Sequence, residues 1–123
     1  MRRILIIDDE DDIREVAALS LESVAGWSVV TACSGAEGIQ TAISSLPDAI
    51  LMDVMMPSMD GPTTFREMQR SPEIAKIPVV LLTAKVQGVD QRRFAGLGVA
   101  GVLFKPFDPL TLAEQMSATL GWS

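Results

Sequence analysis

Five short runs of apolar residues divide the chain, and within each run the hydrophobic side chains are consecutive rather than alternating with polar ones. The runs cover residues 4–7, 27–30, 49–52, 79–82 and 101–104. Continuous apolar runs of this length, bounded by polar or turn residues, are typical of strands buried on both faces of a parallel sheet. The pattern therefore predicts five strands in one parallel sheet.

The segments between these runs repeat their apolar residues at the three- and four-residue spacing of amphipathic helices. The clearest repeats are Ile13, Val16, Ala17, Leu21 and Val24, then Ala36, Ile39, Ile43 and Leu46, and finally Leu112, Ala113, Met116 and Leu120. Weaker helical patterns cover residues 65–68 and 90–97. A strand followed by a helix, five times over, predicts an α/β fold, a doubly wound five-stranded parallel sheet with helices on both faces.

Length and composition agree with one compact domain over residues 1–123. A chain of 123 residues, 48% hydrophobic and 21% charged, has enough apolar material for one core. No linker, repeat or low-complexity segment interrupts the pattern, and after Lys105 only enough residues remain for a turn and a last helix. We therefore expect no output domain.

The charge excludes several partners. A net charge of -6 and a pI of about 4.5 repel nucleic acid and anionic membrane surfaces, so we expect no direct contact with either. No stretch approaches the ~20 apolar residues that span a bilayer. The single Cys33 cannot form an internal disulfide, which favours a reducing cytoplasm, and we interpret it as a small apolar residue.

Polar residues stand where four of the five predicted strands end. Asp8 and Asp9 follow the first apolar run, Asp53 the third, Thr83 the fourth and Lys105 the fifth. In an open parallel sheet, ligands bind beyond the carboxyl ends of the strands, near the point where the winding reverses. We expect these five side chains to converge there.

Three carboxylates in one pocket repel one another, and a divalent cation removes that conflict. Oxygen-only ligands favour Mg²⁺, and the chain has neither His nor a Cys cluster to favour zinc. An Asp carboxylate is also a nucleophile for phosphorus. With Mg²⁺ and Lys105 neutralising charge and the Thr83 hydroxyl donating a hydrogen bond, the pocket suits phosphoryl transfer onto Asp53.

Four motifs at the strand ends make the chain similar to the receiver domains of two-component response regulators, of the single-domain kind found in bacterial chemotaxis. They are I-I-D-D-E-D-D from Ile6, L-M-D-V-M-M-P-S-M-D-G from Leu51, L-L-T-A-K from Leu81 and L-F-K-P-F from Leu103. The resemblance covers the whole chain in order and implies the flavodoxin-like receiver fold.

The resemblance implies a role for each site residue. Asp53 would accept phosphate from a phosphohistidine, in a protein that promotes its own phosphorylation and dephosphorylation rather than acting as a conventional enzyme. Asp9 and Asp53 would bind Mg²⁺ directly, Asp8 largely through water, and Met55 through its backbone carbonyl. Thr83 and Lys105 would hold the phosphoryl oxygens, and the Lys105-Pro106 peptide bond would be cis.

One position departs from the family pattern. Three residues before Lys105, where many relatives have a Tyr or Phe that moves inward on activation, this chain has Val102. Phe104 is nearby but in a different register. We therefore expect Thr83, rather than an aromatic side chain, to carry most of the switching.

The implied partners are a sensor histidine kinase or a phosphotransfer protein, together with a downstream protein target that the sequence does not identify. We expect a monomer or a weak dimer that depends on phosphorylation. Asp11 and Asp12 are interpreted as acids that stabilise a helix N-terminus, and the Arg92-Arg93 pair as a solvated helix face.

Three other functions are weighed against this one. A phosphorylation-independent interaction module on the same scaffold is supported only by Val102. A Mg²⁺-dependent phosphohydrolase would need a second Asp soon after Asp53 and a substrate cap, both of which the sequence lacks. A flavodoxin-like nucleotide binder would carry a phosphate-cradling loop after the first strand, whereas that loop here is acidic.

Overall fold

The computed structural model places all five predicted strands in one sheet. They are β1 (Arg3–Ile7), β2 (Ser28–Ala32), β3 (Ala49–Asp53), β4 (Val79–Ala84) and β5 (Gly101–Lys105). Every neighbouring pair is parallel, and the order across the sheet is β2-β1-β3-β4-β5. This order confirms the doubly wound fold, with the winding reversing between β1 and β3.

The structure describes residues 1–84, 94 and 96–122. Within these ranges there are four helices, α1 (Asp11–Ala25), α2 (Gly35–Ser45), α3 (Gly61–Met68) and α4 (Leu112–Leu120). The helical pattern predicted at 90–97 falls mostly outside the described residues, as does the Arg92-Arg93 pair. None of the helices described is both long and apolar enough to cross a bilayer.

The sheet separates two apolar cores, because successive side chains of a strand point to opposite faces. On one face, α1 and α4 cover strand residues such as Ile6, Leu51 and Leu82. On the other, α2 and α3 cover residues such as Ile7 and Met52. Each such side chain contributes about 1.5–3 kcal/mol when fully buried. The strand ends that carry the polar residues are therefore fixed by packing on both sides.

Polar side chains cap the N-termini of two of the helices. The Ser34 side chain accepts a hydrogen bond from the Glu37 backbone N–H, and the Asp60 side chain accepts one from Thr63, so both cap their helices. Glu10 occupies the same position before α1, but its side chain makes no capping hydrogen bond. The Glu10 carboxylate is therefore left for other contacts.

An aromatic cluster closes the opposite, amino end of the sheet. The rings of Trp27 and Trp122 meet edge to face with centroids 5.4 Å apart, and the Arg2 guanidinium carbon lies 3.8 Å from the Trp122 ring centroid. Aromatic pairs and cation–π contacts of this kind each contribute on the order of 1 kcal/mol. The cluster ties the end of α4 to the start of β2.

Candidate functional site

The strand ends bring the predicted polar residues to one edge of the sheet. Asp8 follows β1 directly, Asp53 and Lys105 are the last residues of β3 and β5, and Thr83 is the second-last residue of β4. Asp8, Asp53 and Thr83 are buried. Asp9 is exposed.

Lys105 is the centre of the site. Its Nζ lies 3.1 Å from Asp8 Oδ2, 3.3 Å from Asp53 Oδ1 and 3.6 Å from Glu10 Oε1, and its side chain is 12% exposed. The peptide bond from Lys105 to Pro106 is cis, as the resemblance implied. One partly buried ammonium thus faces three carboxylates.

Burial and crowding change the proton affinity of both partners. Burial and the nearby Asp8 carboxylate raise the pKa of Asp53 to about 6, although Lys105 and the Met55 backbone N–H act in the opposite direction. Burial lowers the pKa of Lys105, but its contacts with Asp8 and Asp53 outweigh that effect and hold it above the ordinary value. The lysine stays charged, while Asp53 ionises at an energetic cost.

This crowding predicts a pH-dependent stability in metal-free protein. The folded pKa of Asp53, about 6, exceeds the ordinary value of 3.8. Because the folded state holds its proton more tightly than the unfolded state, Asp53 makes its full contribution to the free energy of unfolding below pH ~4. This contribution is lost as the pH rises through about 6. Urea unfolding in EDTA should show Asp53→Asn gaining stability relative to wild type across this interval and levelling off above it. A difference that does not vary with pH would contradict the prediction.

The donor set fits a hard divalent cation. Asp8, Glu10 and Asp53 each offer a carboxylate oxygen, and these oxygens lie within 4.8 Å of one another. Although Asp8 Oδ2 is close to Lys105, it is fully buried and has no partner with hydrogen-bond geometry among the residues described. A buried oxygen without such a partner is costly, and a cation would satisfy it.

The structure groups Glu10, not Asp9, with the other two carboxylates. The sequence analysis did not select Glu10, although it directly follows the Asp8-Asp9 pair and is itself acidic. Direct ligation by Asp9 stays a prediction, and so does ligation by the carbonyl of Met55. The Met55 backbone N–H donates to Asp53 Oδ1 at 3.4 Å, which places the start of that loop beside the site.

Thr83 lies near the end of β4, beside β5, the strand that carries Lys105. The Thr83 hydroxyl donates a long 3.4 Å hydrogen bond to the adjacent Ala84 carbonyl, and a bond of this length is readily exchanged for another acceptor. Across the strands, Thr83 is in register with Phe104, and Leu81 with Val102. Val102 packs against the core beneath α2 and α3. Phe104 lies on the same face, two residues nearer the site.

Gly61 lets α3 begin directly against the backbone of Asp53. A Cβ built on Gly61 would lie 2.6 Å from the Asp53 carbonyl oxygen and 3.0 Å from the Val54 Cα. Both atoms belong to backbone, so neither can move aside without shifting the strand end. Gly61 thereby contributes to the position of Asp53.

Gly61→Ala is expected to destabilise the protein by about 1–3 kcal/mol, as overpacking does, and to displace Asp53 from Lys105. Gly96→Ala is the matched control, because a Cβ there would meet nothing within 4 Å. Urea unfolding measures the first effect, and the NMR shift of the Lys105 ammonium measures the second. Equal stability of the two variants would show that the site tolerates a Cβ at Gly61.

Cys33 corrects one expectation. It is exposed rather than packed as a small apolar residue, because it follows β2 at the surface and its thiol donates a 3.1 Å hydrogen bond to Glu37 Oε2. This hydrogen bond and the negative charge of Glu37 raise the pKa of the thiol. A raised pKa disfavours the reactive thiolate. Asp11 and Asp12 lie in the first turn of α1, as expected.

Comparison with known proteins gives concordant matches. A family model described as the response regulator receiver domain matches residues 4–117. The DNA-binding dual master transcriptional regulator RpaA of Synechocystis sp. is 38% identical over 120 residues, which cover 98% of this chain and 49% of RpaA. Protein PilH of Pseudomonas aeruginosa is 34% identical over 120 residues and is covered to 98%, as is this chain.

Among solved structures, chemotaxis protein CheY4 of Vibrio cholerae superposes with a TM-score of 0.88 at 30% identity, covering 98% of this chain and 99% of CheY4. The chain spans about half the length of several transcriptional regulators that it matches, and nearly all of PilH.

Proposed function

The chain belongs to the response regulator receiver domain family of two-component signalling, and on that premise we propose that Asp53 is its phosphoacceptor. The observation that carries the proposal is the buried Asp53 carboxylate, held 3.3 Å from the Lys105 ammonium at the carboxyl edge of the sheet. The donor would be the phosphohistidine of a sensor kinase or of a phosphotransfer protein.

The step is a displacement at phosphorus. An Asp53 carboxylate oxygen forms a bond to phosphorus while the P–N bond to the donor histidine breaks, and the imidazole leaves with the electron pair and takes a proton from solvent. Lys105 neutralises the charge that develops on one phosphoryl oxygen, and Thr83 donates a hydrogen bond to another. Mg²⁺, held by the acidic residues, would supply further charge neutralisation.

Burial prepares the Asp53 carboxylate for this role. Packing of β3 on both faces fixes its direction, and the low exposure of Asp8 and Lys105 keeps competing water away. Burial and Asp8 raise the pKa of Asp53 to about 6. Since this value is still below neutral pH, the carboxylate is mostly ionised there. The negative charge on this buried carboxylate is therefore energetically unfavourable, which favours its reaction with a phosphoryl group.

The phosphorylated state would be recognised by protein contact. Phosphorylation adds about -1.5 to -2 charge beside Lys105 and Thr83. Redirecting the Thr83 hydroxyl from Ala84 to a phosphoryl oxygen would change the loop after β4, and this difference between states is what a target can recognise. Val102 has no ring to swing, so Thr83 would carry most of the switching.

A small apolar groove beside the site suits a protein donor. Ile13 and Val16 of α1 and Pro106 and Phe107 after β5 line it, and Asp12 stands at its rim. A donor helix lying here would bring its phosphohistidine to the adjacent Lys105 and Asp53. We propose that the cognate kinase or phosphotransfer protein docks on this groove, in the cytoplasm, where such donors act.

The cation site predicts stabilisation by Mg²⁺. If free Mg²⁺ is about tenfold above its Kd, mass action gives about 1.4 kcal/mol. Thermal unfolding at fixed ionic strength, with and without Mg²⁺, measures the effect, and Asp53→Asn should reduce it. An unchanged Tm for the wild type would count against the cation site.

The function is tested by incubating the protein with acetyl phosphate and Mg²⁺ and measuring its intact mass. We expect addition of one phosphoryl group, mapped to Asp53 after borohydride reduction. Lack of any modification would favour a phosphorylation-independent interaction module. Continuous turnover of assorted phosphate esters would favour a phosphohydrolase. Testing phosphotransfer against the sensor kinases of the source genome would then identify the donor.

A further inference from the structure

Glu10 faces the site for reasons built into the start of α1. Its backbone N–H donates a 2.9 Å hydrogen bond to Asp8 Oδ1, which fixes the turn between β1 and the helix. Its side chain does not cap α1. Instead, Glu10 Oε1 approaches Lys105 Nζ at 3.6 Å from the solvent side, with the Glu10 side chain 60% exposed.

A phosphoryl oxygen approaching Lys105 would therefore enter a region already crowded with negative charge. The Lys105 ammonium faces three carboxylate oxygens, those of Asp8 at 3.1 Å, Asp53 at 3.3 Å and Glu10 at 3.6 Å. Asp8 is buried and Asp53 is the proposed nucleophile, so both must stay. Glu10 is the exposed member, and moving its carboxylate into water costs least.

We propose that Glu10 restrains phosphorylation of the resting protein, by competing with the incoming phosphoryl oxygen for Lys105 and by repelling anionic donors at the mouth of the site. The inference rests on the proposed function of Asp53. Glu10 is a positioning residue here, because it acts through Lys105 and does not react.

The charge of the donor discriminates this role from a purely structural one. Acetyl phosphate is a dianion at neutral pH, whereas phosphoramidate carries a smaller net negative charge. A repelling carboxylate at the mouth slows the dianion more. Salt screens such repulsion at exposed sites, so the effect of Glu10 should also shrink at high ionic strength.

The test compares wild type, Glu10→Gln and Glu15→Gln, the last being a matched control that removes one negative charge from an exposed position of α1. At saturating Mg²⁺ and low ionic strength, Glu10→Gln should be phosphorylated by acetyl phosphate about two- to fivefold faster than wild type, the range expected for an exposed ion pair. The gain should be smaller with phosphoramidate and in high salt, and Glu15→Gln should stay near the wild-type rate.

Titration calorimetry with Mg²⁺ separates restraint from ligation without any phosphodonor. Of the three carboxylates that could hold a cation, that of Glu10 is exposed, whereas those of Asp8 and Asp53 are buried, so we expect it to contribute least to cation binding. The Kd for Mg²⁺ should therefore rise less than about tenfold in Glu10→Gln, a change that corresponds to less than about 1.4 kcal/mol. A larger loss would identify Glu10 as a cation ligand and overturn the proposal, as would an unchanged or slower rate with acetyl phosphate. Wild-type protein that gains no phosphate on Asp53 would instead overturn the proposed function itself.

Discussion

Asp53→Asn is expected to abolish phosphorylation and, in metal-free protein at neutral pH, to make the fold more stable. The amide keeps the volume of the side chain but is not a nucleophile for phosphorus. It also removes the negative charge that burial and Asp8 disfavour. The folded pKa of about 6, against an ordinary 3.8, already includes the opposing effect of Lys105. The stabilisation should therefore approach about 3 kcal/mol.

Intact mass after incubation with acetyl phosphate measures the first effect, and urea unfolding in EDTA at pH 7 measures the second. Asp12→Asn provides the control, because Asp12 is an exposed acid in the first turn of α1. It should be phosphorylated normally, without gaining comparable stability. Phosphate that persists in Asp53→Asn at the wild-type level would show that another residue is the acceptor.

Lys105→Met should have the largest destabilising effect. The substitution keeps an unbranched apolar stem but leaves Asp8 and Asp53 as buried carboxylates without their cation. Removing one partner of a buried ion pair costs about 3–5 kcal/mol. Protonation of Asp53 relieves part of the repulsion, so the loss of stability should be smaller at pH 5 than at pH 7.

The same substitution should slow phosphorylation by acetyl phosphate about 10²-fold, the cost of removing one preorganised charge-stabilising group. Lys105→Arg keeps the positive charge and should retain more stability, but its planar group directs its donors differently. Unfolding in urea at both pH values, and rates of phosphorylation for the two variants, provide the measurements. A Lys105→Met protein as stable as wild type at pH 7 would mean that Lys105 does not offset the buried carboxylates.

The sheet was predictable because its strands are buried on both faces, which leaves an uninterrupted apolar run in the sequence for each one. Parallel strands also end at one edge, so the sequence alone is enough to assign Asp8, Asp53, Thr83 and Lys105 to one place. The alternating order of strands and helices was sufficient to predict the doubly wound sheet, since helix crossovers between parallel strands are almost always right-handed.

The approach of Glu10 to Lys105 was beyond sequence reasoning, because it depends on the direction of side chains in a short turn. The hydrogen bond from the Glu10 N–H to Asp8 sets that direction, and it involves a backbone atom that every residue type provides. The close approach of Gly61 to the Asp53 carbonyl is likewise a tertiary contact. The exposure of Cys33 depends on how the loop after β2 leaves the sheet.

The Trp27 and Trp122 cluster gives the protein an optical signal that is independent of its chemistry. These are the only two tryptophans, and the chain has no tyrosine, so ultraviolet fluorescence excited above the phenylalanine band arises from this one cluster. It lies at the amino end of the sheet, whereas Asp53 lies at the carboxyl end. Emission should therefore follow global unfolding and remain nearly silent when Asp53 is modified. Stability and phosphorylation can then be recorded separately in a single sample.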